Sequence, residues 1–455
     1  MSDATHDPRP GPWPSPSLEA YLERRSRVAA SLRERDAALV LYGGELRTRA
    51  NDTEFRFRPD SDFHYLCGLE EPGAVVVLLP EGDGGHRFVA FVRPRDREIE
   101  VWSGRRLGPE GVVERFGADE AHPLAELDAQ LPRLLDGYDT VFLPLGRWPA
   151  LDAAVHRALT SLRRHNRTGE SPPRHLGNAE DLLGEERIVK DAASLASLRQ
   201  AVDITAEGHL AAMRAARPGM HEYQIEALIE YEFRRRGSSG PGYGSIVGSG
   251  DNATILHYVD NRSPLGDGEV LLIDAGAEWD YHSGDITRSW PVNGRFTPEQ
   301  RDAYEVVLAA NLAGIELAKP GSNIDAIHER CLDVLCEGMA SLKLIPESAE
   351  TIRERKLYRK FYMHRTSHWL GVDVHDAGRY TLGGEPRAFA PGHVLTVEPG
   401  LYIAADTEDV PEGFCGLGIR VEDDILITAD GHEVLSAKVP KRVDAMEAII
   451  GEAHR

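Results

Sequence analysis

The stretch Leu271–Trp290, LLIDAGAEWDYHSGDITRSW, decides how the second half of the chain is read. An apolar run from Val270 to Ile273 ends on Asp274, glycines at 276 and 284 bracket a polar connection, and the next run begins Asp285-Ile286-Thr287. Period-two alternation puts Asp285 and Thr287 on one face and Ile286 on the other. A hairpin-like return brings Asp274 and Asp285 close together. Two adjacent carboxylates repel, so one keeps a proton or both share a cation. Asp also favours turns, and these two residues alone are read equally well as turn caps.

Two more carboxylates sit on strand-like segments downstream. In VLTVEPG, Glu398 follows Val394–Val397 and Pro399 stops the strand; in GIRVEDDILIT, Glu422 follows Ile419-Arg420-Val421. Arg420 shares a face with Glu422 and could serve as its ion partner, whereas Glu398 has no such neighbour. YMHRTSHWLGVDVHDAG adds His364, His368 and His375. Histidine is the usual nitrogen ligand of transition metals, although each of these taken singly reads as structural. HEXXH is absent, which removes the helical zinc-protease arrangement. Together Asp274, Asp285, Glu398 and Glu422 carry four negative charges. One divalent ion leaves half of that charge in place and two cancel it. Four carboxylates and an imidazole supply about enough ligands for two ions. Oxygen-rich ligation favours Mn²⁺, Co²⁺ or Zn²⁺ over softer choices. Thr287 is read as the hydroxyl that orients Asp285.

The whole chain sets bounds on this reading. Its 455 residues allow two or three domains, each with a real core. A net charge of −22 disfavours nucleic acid and anionic membranes as partners. Cys67, Cys331, Cys336 and Cys415 are sparse and form no CxxC pair, so neither a disulfide framework nor a thiolate zinc site is expected. A reducing cytoplasm fits. Residues 1–17 are polar and proline-rich, unlike a signal or transit peptide, and read as a flexible tail. The longest apolar runs, such as Ala74–Leu79, are strand-sized, so nothing spans a membrane.

Helical spacing over 18–35, 124–135 and 149–164 alternates with strand-like runs at Ala37–Gly44, GAVVVLLP, RFVAFV and TVFLPL. Residues 18–178 are therefore expected to form an α/β N-terminal domain. Its last segment, from about Arg164 to Asn178, reads as a linker. Residues 179–455 form the C-terminal domain. Long helices at roughly 191–216 and 221–236, stopped by Pro218-Gly219 and Gly237, precede short strands. Helices at about 298–318 and 323–342 precede a second group. Blocks of helices and antiparallel strand pairs indicate an α+β domain.

These residues, in this order, resemble the pita-bread metallopeptidases: methionine aminopeptidase, prolidase, aminopeptidase P and the related creatinase. The likeness is strongest to the aminopeptidase P (Xaa-Pro aminopeptidase) branch. It rests on DYHSGDITRSWPVNGRFT, SHWLGVDVHDAG, VLTVEPGLYI and GIRVEDDILIT. NDTEFRFRPDSDFHYLCGLEEPGAVVVL and VWSGRRLG extend it into the N-terminal half. It covers most of the chain beyond the first fifteen or so residues.

The resemblance implies a creatinase-like N-terminal domain and a pita-bread catalytic domain. It implies two divalent ions, Mn²⁺ foremost with Co²⁺ or Zn²⁺ as alternatives. Asp274 would hold one ion, His368 and Glu398 the other, and Asp285 and Glu422 would bridge. It also implies that His257 and His375 contact substrate and that His364, Tyr402 and Arg420 surround a proline pocket. Trp102 would reach a neighbouring subunit's site in a homo-oligomer, dimer or tetramer. Glu398 is the expected general base. The expected activity is removal of the first residue from short peptides with proline in second position. Two alternatives are a prolidase confined to Xaa-Pro dipeptides and a non-catalytic peptide- or partner-binding member of the fold. His282 and His393 depart from the family pattern; they are expected to be exposed or loosely packed and receive no role.

Overall fold

The computed structural model describes residues 17–82 and 84–452. The expected flexible tail lies outside them except for Ser17, whose side chain accepts a hydrogen bond from the Ala20 amide and caps the first helix. The chain divides into two compact units, the first ending at Glu186 and the second beginning at Arg187. The expected boundary at 178/179 falls a few residues earlier.

The first unit is built on six strands: β1 (Ala37–Tyr42), β2 (Val75–Pro80), β3 (His86–Val92), β4 (Glu120–Pro123), β5 (Thr140–Leu143) and β6 (His175–Asn178). They lie in the order β4-β3-β2-β1-β5-β6. The β1–β2 and β2–β3 pairs are antiparallel; the outer pairs are parallel. All six residues of β1 are buried because both sheet faces are covered. Ala37, Leu39 and Leu41 meet Val28, Ala29 and Leu32 of helix α1 (Leu18–Arg33). Ala38, Val40 and Tyr42 share the opposite core with residues of α2 (Leu127–Leu135) and α3 (Pro149–His165). The linker expected at 164–178 is instead the end of α3, a 3-10 turn at Asn166–Thr168 and the edge strand β6. That strand, HLGN, is half-buried to exposed, so no apolar alternation announces it.

The second unit repeats a pattern of two helices followed by strands. Helix α4 (Ala192–Ala215) starts where Asp191 accepts from the Ser194 amide, and α5 (Glu222–Arg235) follows. Helix α6 (Pro298–Ile315) opens with a Thr297–Gln300 capping box and proline in its first turn. Helix α7 (Ile324–Ser341) is capped by Asn323. Behind the first helix pair, β7 (Ile246–Ser249), β8 (Val270–Ala275) and β9 (Ile286–Pro291) form an antiparallel sheet in that order. Behind the second lie β10 (Val394–Val397), β11 (Gly400–Ile403), β12 (Leu417–Arg420) and β13 (Asp423–Ile427), with β10 on β13 and β11 on β12. One core joins these elements, with Leu271, Ile273 and Trp290 fully buried. Burying each such side chain contributes about 1.5–3 kcal/mol.

Candidate active site

The return from β8 to β9 is made by glycine. A Cβ on Gly276 would lie 1.7 Å from the Gly284 carbonyl oxygen, so only glycine permits the two arms to cross there. Between them, Trp279 pairs with His282 across Asp280 and Tyr281, both at positive φ, the two-residue hairpin geometry. The register then sets Asp274 opposite Thr287, with Asp285 just before β9. His282, expected exposed, is buried, and its Nδ1 lies 2.9 Å from the Asp280 carbonyl oxygen.

The other carboxylates come from the second strand group. Glu398 follows β10, and Glu422 sits between β12 and β13. His368 is on no helix. Its carbonyl accepts from the Thr396 amide, and its own amide donates to Thr396 Oγ1 at 3.2 Å, laying it beside β10. His393 is also buried rather than loose, its ring 5.2 Å from that of Trp369.

Short contacts link the five residues. His368 Nε2 is 3.3 Å from Asp285 Oδ2 and 3.6 Å from Glu398 Oε1. Ligand atoms of Asp285, His368 and Glu422 all lie within 4.8 Å of one another. The Tyr243 hydroxyl is 2.6 Å from Asp274 Oδ1 and 2.5 Å from Asp285 Oδ1. Arg420 donates to Asp274 Oδ2 at 2.6 Å, to Tyr402 Oη at 3.1 Å and to Thr287 Oγ1 at 3.1 Å. Arg420 is therefore the ion partner of Asp274, and its hydrogen-bond link to Glu422 runs through Thr287. Thr287 itself donates to Glu422, not to Asp285 as expected.

The donor set fits divalent cations. A phenol carries one hydrogen, so Tyr243 cannot donate to both carboxylates at once. The second short contact needs a proton or a cation nearby. Burial, offset in part by His368 and Arg420, pushes Glu398 up to about 7. Burial and the neighbouring carboxylates raise Asp285 and, further, Glu422. Burial works against a charge on His368, but Asp285 and Glu398 more than offset it and raise the imidazole to about 9. The protein alone thus leaves the cluster short of positive charge, and hard divalent ions match its oxygen-rich ligands.

A cavity of about 740 Å³ receives these groups. All five lie on its wall, with His257, His364, His375 and Arg420. His364 Nε2 is 2.8 Å from the Tyr402 hydroxyl, and Ile246, Leu256 and Val374 add apolar surface. His257 and His375 are exposed within it. Trp102 is on the short helix Arg97–Ser103 of the first unit and is 89% exposed.

The sequence reading missed three groups. Tyr243 lies in GPGYGS, where nothing ties it to carboxylates decades of residues away. Asp424, last in the acidic run that begins at Glu422, accepts from the Asp285 amide at 3.1 Å. Asp423 is buried against Arg288 at 2.8 Å and Lys441 at 2.6 Å. The EDD run was the available signal for both aspartates.

Residues 196–429 match the model of metallopeptidase family M24, and residues 21–142 match that of the aminopeptidase P N-terminal domain. The chain belongs to metallopeptidase family M24. As a member, it is a metal-dependent peptide hydrolase, an α/β N-terminal domain followed by an α+β pita-bread catalytic domain. It is 41% identical over 439 residues to the Xaa-Pro aminopeptidase of Escherichia coli (strain K12), covering 96% of this chain and 99% of that one. A solved aminopeptidase of Pseudomonas aeruginosa superposes with a TM-score of 0.93 at 42% identity, over 96% of this chain and 98% of the other. Zinc-substituted E. coli aminopeptidase P, in complex with product, gives a TM-score of 0.93 at 40% identity, over 96% and 99%. Among the described residues no helix is long and apolar enough to cross a membrane.

Proposed function

We propose that this M24 peptidase is an Xaa-Pro aminopeptidase, releasing the first residue of short peptides whose second residue is proline. The observation that carries the reading is that Asp274, Asp285, His368, Glu398 and Glu422 share one cavity wall with His364 and Arg420, both of which bond the buried Tyr402 hydroxyl. The relatives named Xaa-Pro aminopeptidase support it across nearly the full chain.

Two divalent ions, Mn²⁺ in this reading with Co²⁺ or Zn²⁺ as substitutes, are assigned to those five residues. Asp274, Asp285, His368, Glu398 and Glu422 would hold them, with His368 the one nitrogen donor among four carboxylates. When bound, such ions supply Lewis acidity and a water acidic enough to attack near neutral pH. Glu398 takes the proton of the attacking water and passes it to the departing nitrogen. His375 donates to the oxygen that gains charge as the carbonyl is attacked. His257 faces the scissile amide or leaving group. The prolyl nitrogen carries no N–H and its ring fixes φ, so recognition falls to shape. His364, Tyr402 and Arg420 are assigned to that ring's pocket. Trp102 is assigned to a neighbouring subunit's cavity in a dimer or tetramer. Its exposure beside the also exposed Val101 supports this. The four free cysteines suit a reducing, cytoplasmic location.

A time course on Arg-Pro-Pro and on Gly-Pro, with EDTA and with Mn²⁺ restored, tests the reading. Release of arginine from the tripeptide, lost with EDTA and regained with Mn²⁺, is expected. Cleavage of the dipeptide alone would make the chain a prolidase. Full activity in a metal-free sample, or no hydrolysis by a metal-loaded one, would overturn the proposal.

A further inference from the structure

The segment from His368 to His375 carries two site histidines without any helix or strand of its own. A few backbone bonds hold it: Leu370 N–H to the Val394 carbonyl, Gly371 N–H to that of Asp373, and Asp376 N–H to that of Trp369. His375 is exposed in the cavity, its ring centroid 4.3 Å from that of His368. An exposed ring takes its direction largely from the backbone that presents it.

That backbone is gripped from behind. Asp376, the next residue, has a fully buried side chain. One of its oxygens pairs with the Arg187 guanidinium, and the other accepts from Lys190 Nζ at 2.7 Å. Arg187 also reaches Asp373 Oδ2 at 2.6 Å, so one guanidinium holds both acidic flanks of Val374-His375. Lys190 Nζ donates in turn to the Arg187 carbonyl at 2.7 Å. Gly371 closes the arrangement: a Cβ there would lie 2.1 Å from Asp376 Oδ2 and 3.0 Å from Lys190 Cε. Two cations and two carboxylates balance. Arg187, Lys190 and Asp376 are buried and Asp373 is partly exposed; a buried ion cluster adds little stability compared with apolar packing, and here its directional bonds fall on both sides of His375. None of these four charged groups is on the cavity wall.

We propose that Asp376, held by Arg187 and Lys190, is a positioning residue that aims His375 at the reacting carbonyl. The inference rests on the role assigned to His375 above. The charged cluster sets the peptide plane on either side of His375, and so sets where its ring points. A misplacement of about 1 Å at a reacting centre can cost roughly 100-fold in rate.

The test is a set of double-mutant cycles on the Mn²⁺-loaded enzyme, with metal content and Tm measured for every variant. Asp376→Asn should lower kcat by roughly 10- to 100-fold with KM and metal content little changed. In a His375→Ala background the same substitution should cost nothing further. Lys190→Met, which leaves the Arg187 pairings in place, should show a smaller loss with the same non-additivity, and it decides the matter if Asp376→Asn does not fold. The inference is overturned if the losses multiply, or if kcat holds while only Tm falls. A His375→Ala enzyme with normal kcat would refute the role of His375 itself. That result is read from the single variant, apart from the cycles.

Discussion

The Thr287 hydroxyl donates to Glu422 Oε2 at 2.5 Å, joining the two strand groups of the catalytic unit through side chains 135 positions apart. Thr287 Oγ1 in turn accepts from Arg420 Nε at 3.1 Å, and Arg420 holds Asp274. Thr287 therefore transmits the orientation of one proposed ligand to another. Thr287→Val keeps the shape and removes the hydroxyl. It should weaken metal binding, or activity at limiting metal, by about 10- to 100-fold. Calorimetric titration of the metal-free protein with Mn²⁺ checks this. Unchanged affinity would mean that Glu422 needs no orientation.

The crowding of Asp274, Asp285, Glu398 and Glu422 predicts a stability effect separate from activity. Ions that bind only the folded chain stabilise it by mass action, by about 2.7 kcal/mol when free metal is 100 times Kd. Stripped protein should melt at lower temperature than the loaded form, and added Mn²⁺ should restore the loss at two ions per chain. Thermal scans paired with elemental analysis read both quantities. A Tm indifferent to EDTA and Mn²⁺ would argue that protons, not cations, compensate the cluster.

Glu398 carries the proposed proton transfer. It stands at the end of β10, its backbone N–H donating to the Thr366 carbonyl at 2.8 Å and its Oε1 3.4 Å from Thr396 Oγ1. Glu398→Gln keeps those backbone constraints. Turnover at saturating Mn²⁺ should fall by about 10²- to 10⁴-fold while the protein stays folded. A variant with near-normal kcat and full metal content would remove Glu398 from the chemistry.

What could be read from the sequence follows from where each contact originates. Asp274 and Asp285 were visible because a two-residue period exposes a carboxylate that belongs on a buried face. Glu398 was visible because it ends an apolar run, and Glu422 because it continues the alternation of Ile419-Arg420-Val421. The partners of these groups were not. Thr287 was assigned to Asp285, its neighbour in sequence, yet it donates to Glu422, which only the joining of β9 to the β12–β13 turn brings near. Tyr243 sits in glycine-rich coil, where no periodicity applies. His282 and His393 read as surface residues because turns usually are. Here the turns are covered, one by its own hairpin and one by Trp369. Strand β6 escaped notice for the opposite reason: an edge strand has little apolar face to show.

His209 on α4 offers a pH test away from the proposed ligands. It is fully buried, its Nε2 lies 3.1 Å from the Ala275 carbonyl, and Nδ1 has no partner among the described residues. Burial lowers its pKa to about 4, below its ordinary value of 6.5. The folded chain thus refuses a proton that the unfolded chain binds. Its stability contribution is intact above about pH 6.5 and declines as pH falls toward 4, by about 3 kcal/mol in all. In His209→Gln, the amide can donate to Ala275 in place of the imidazole and does not titrate. Urea unfolding of both proteins between pH 7 and pH 4 should show the wild type losing stability faster, by about that amount. Parallel curves would show that the imidazole finds a way to hold its proton inside the fold.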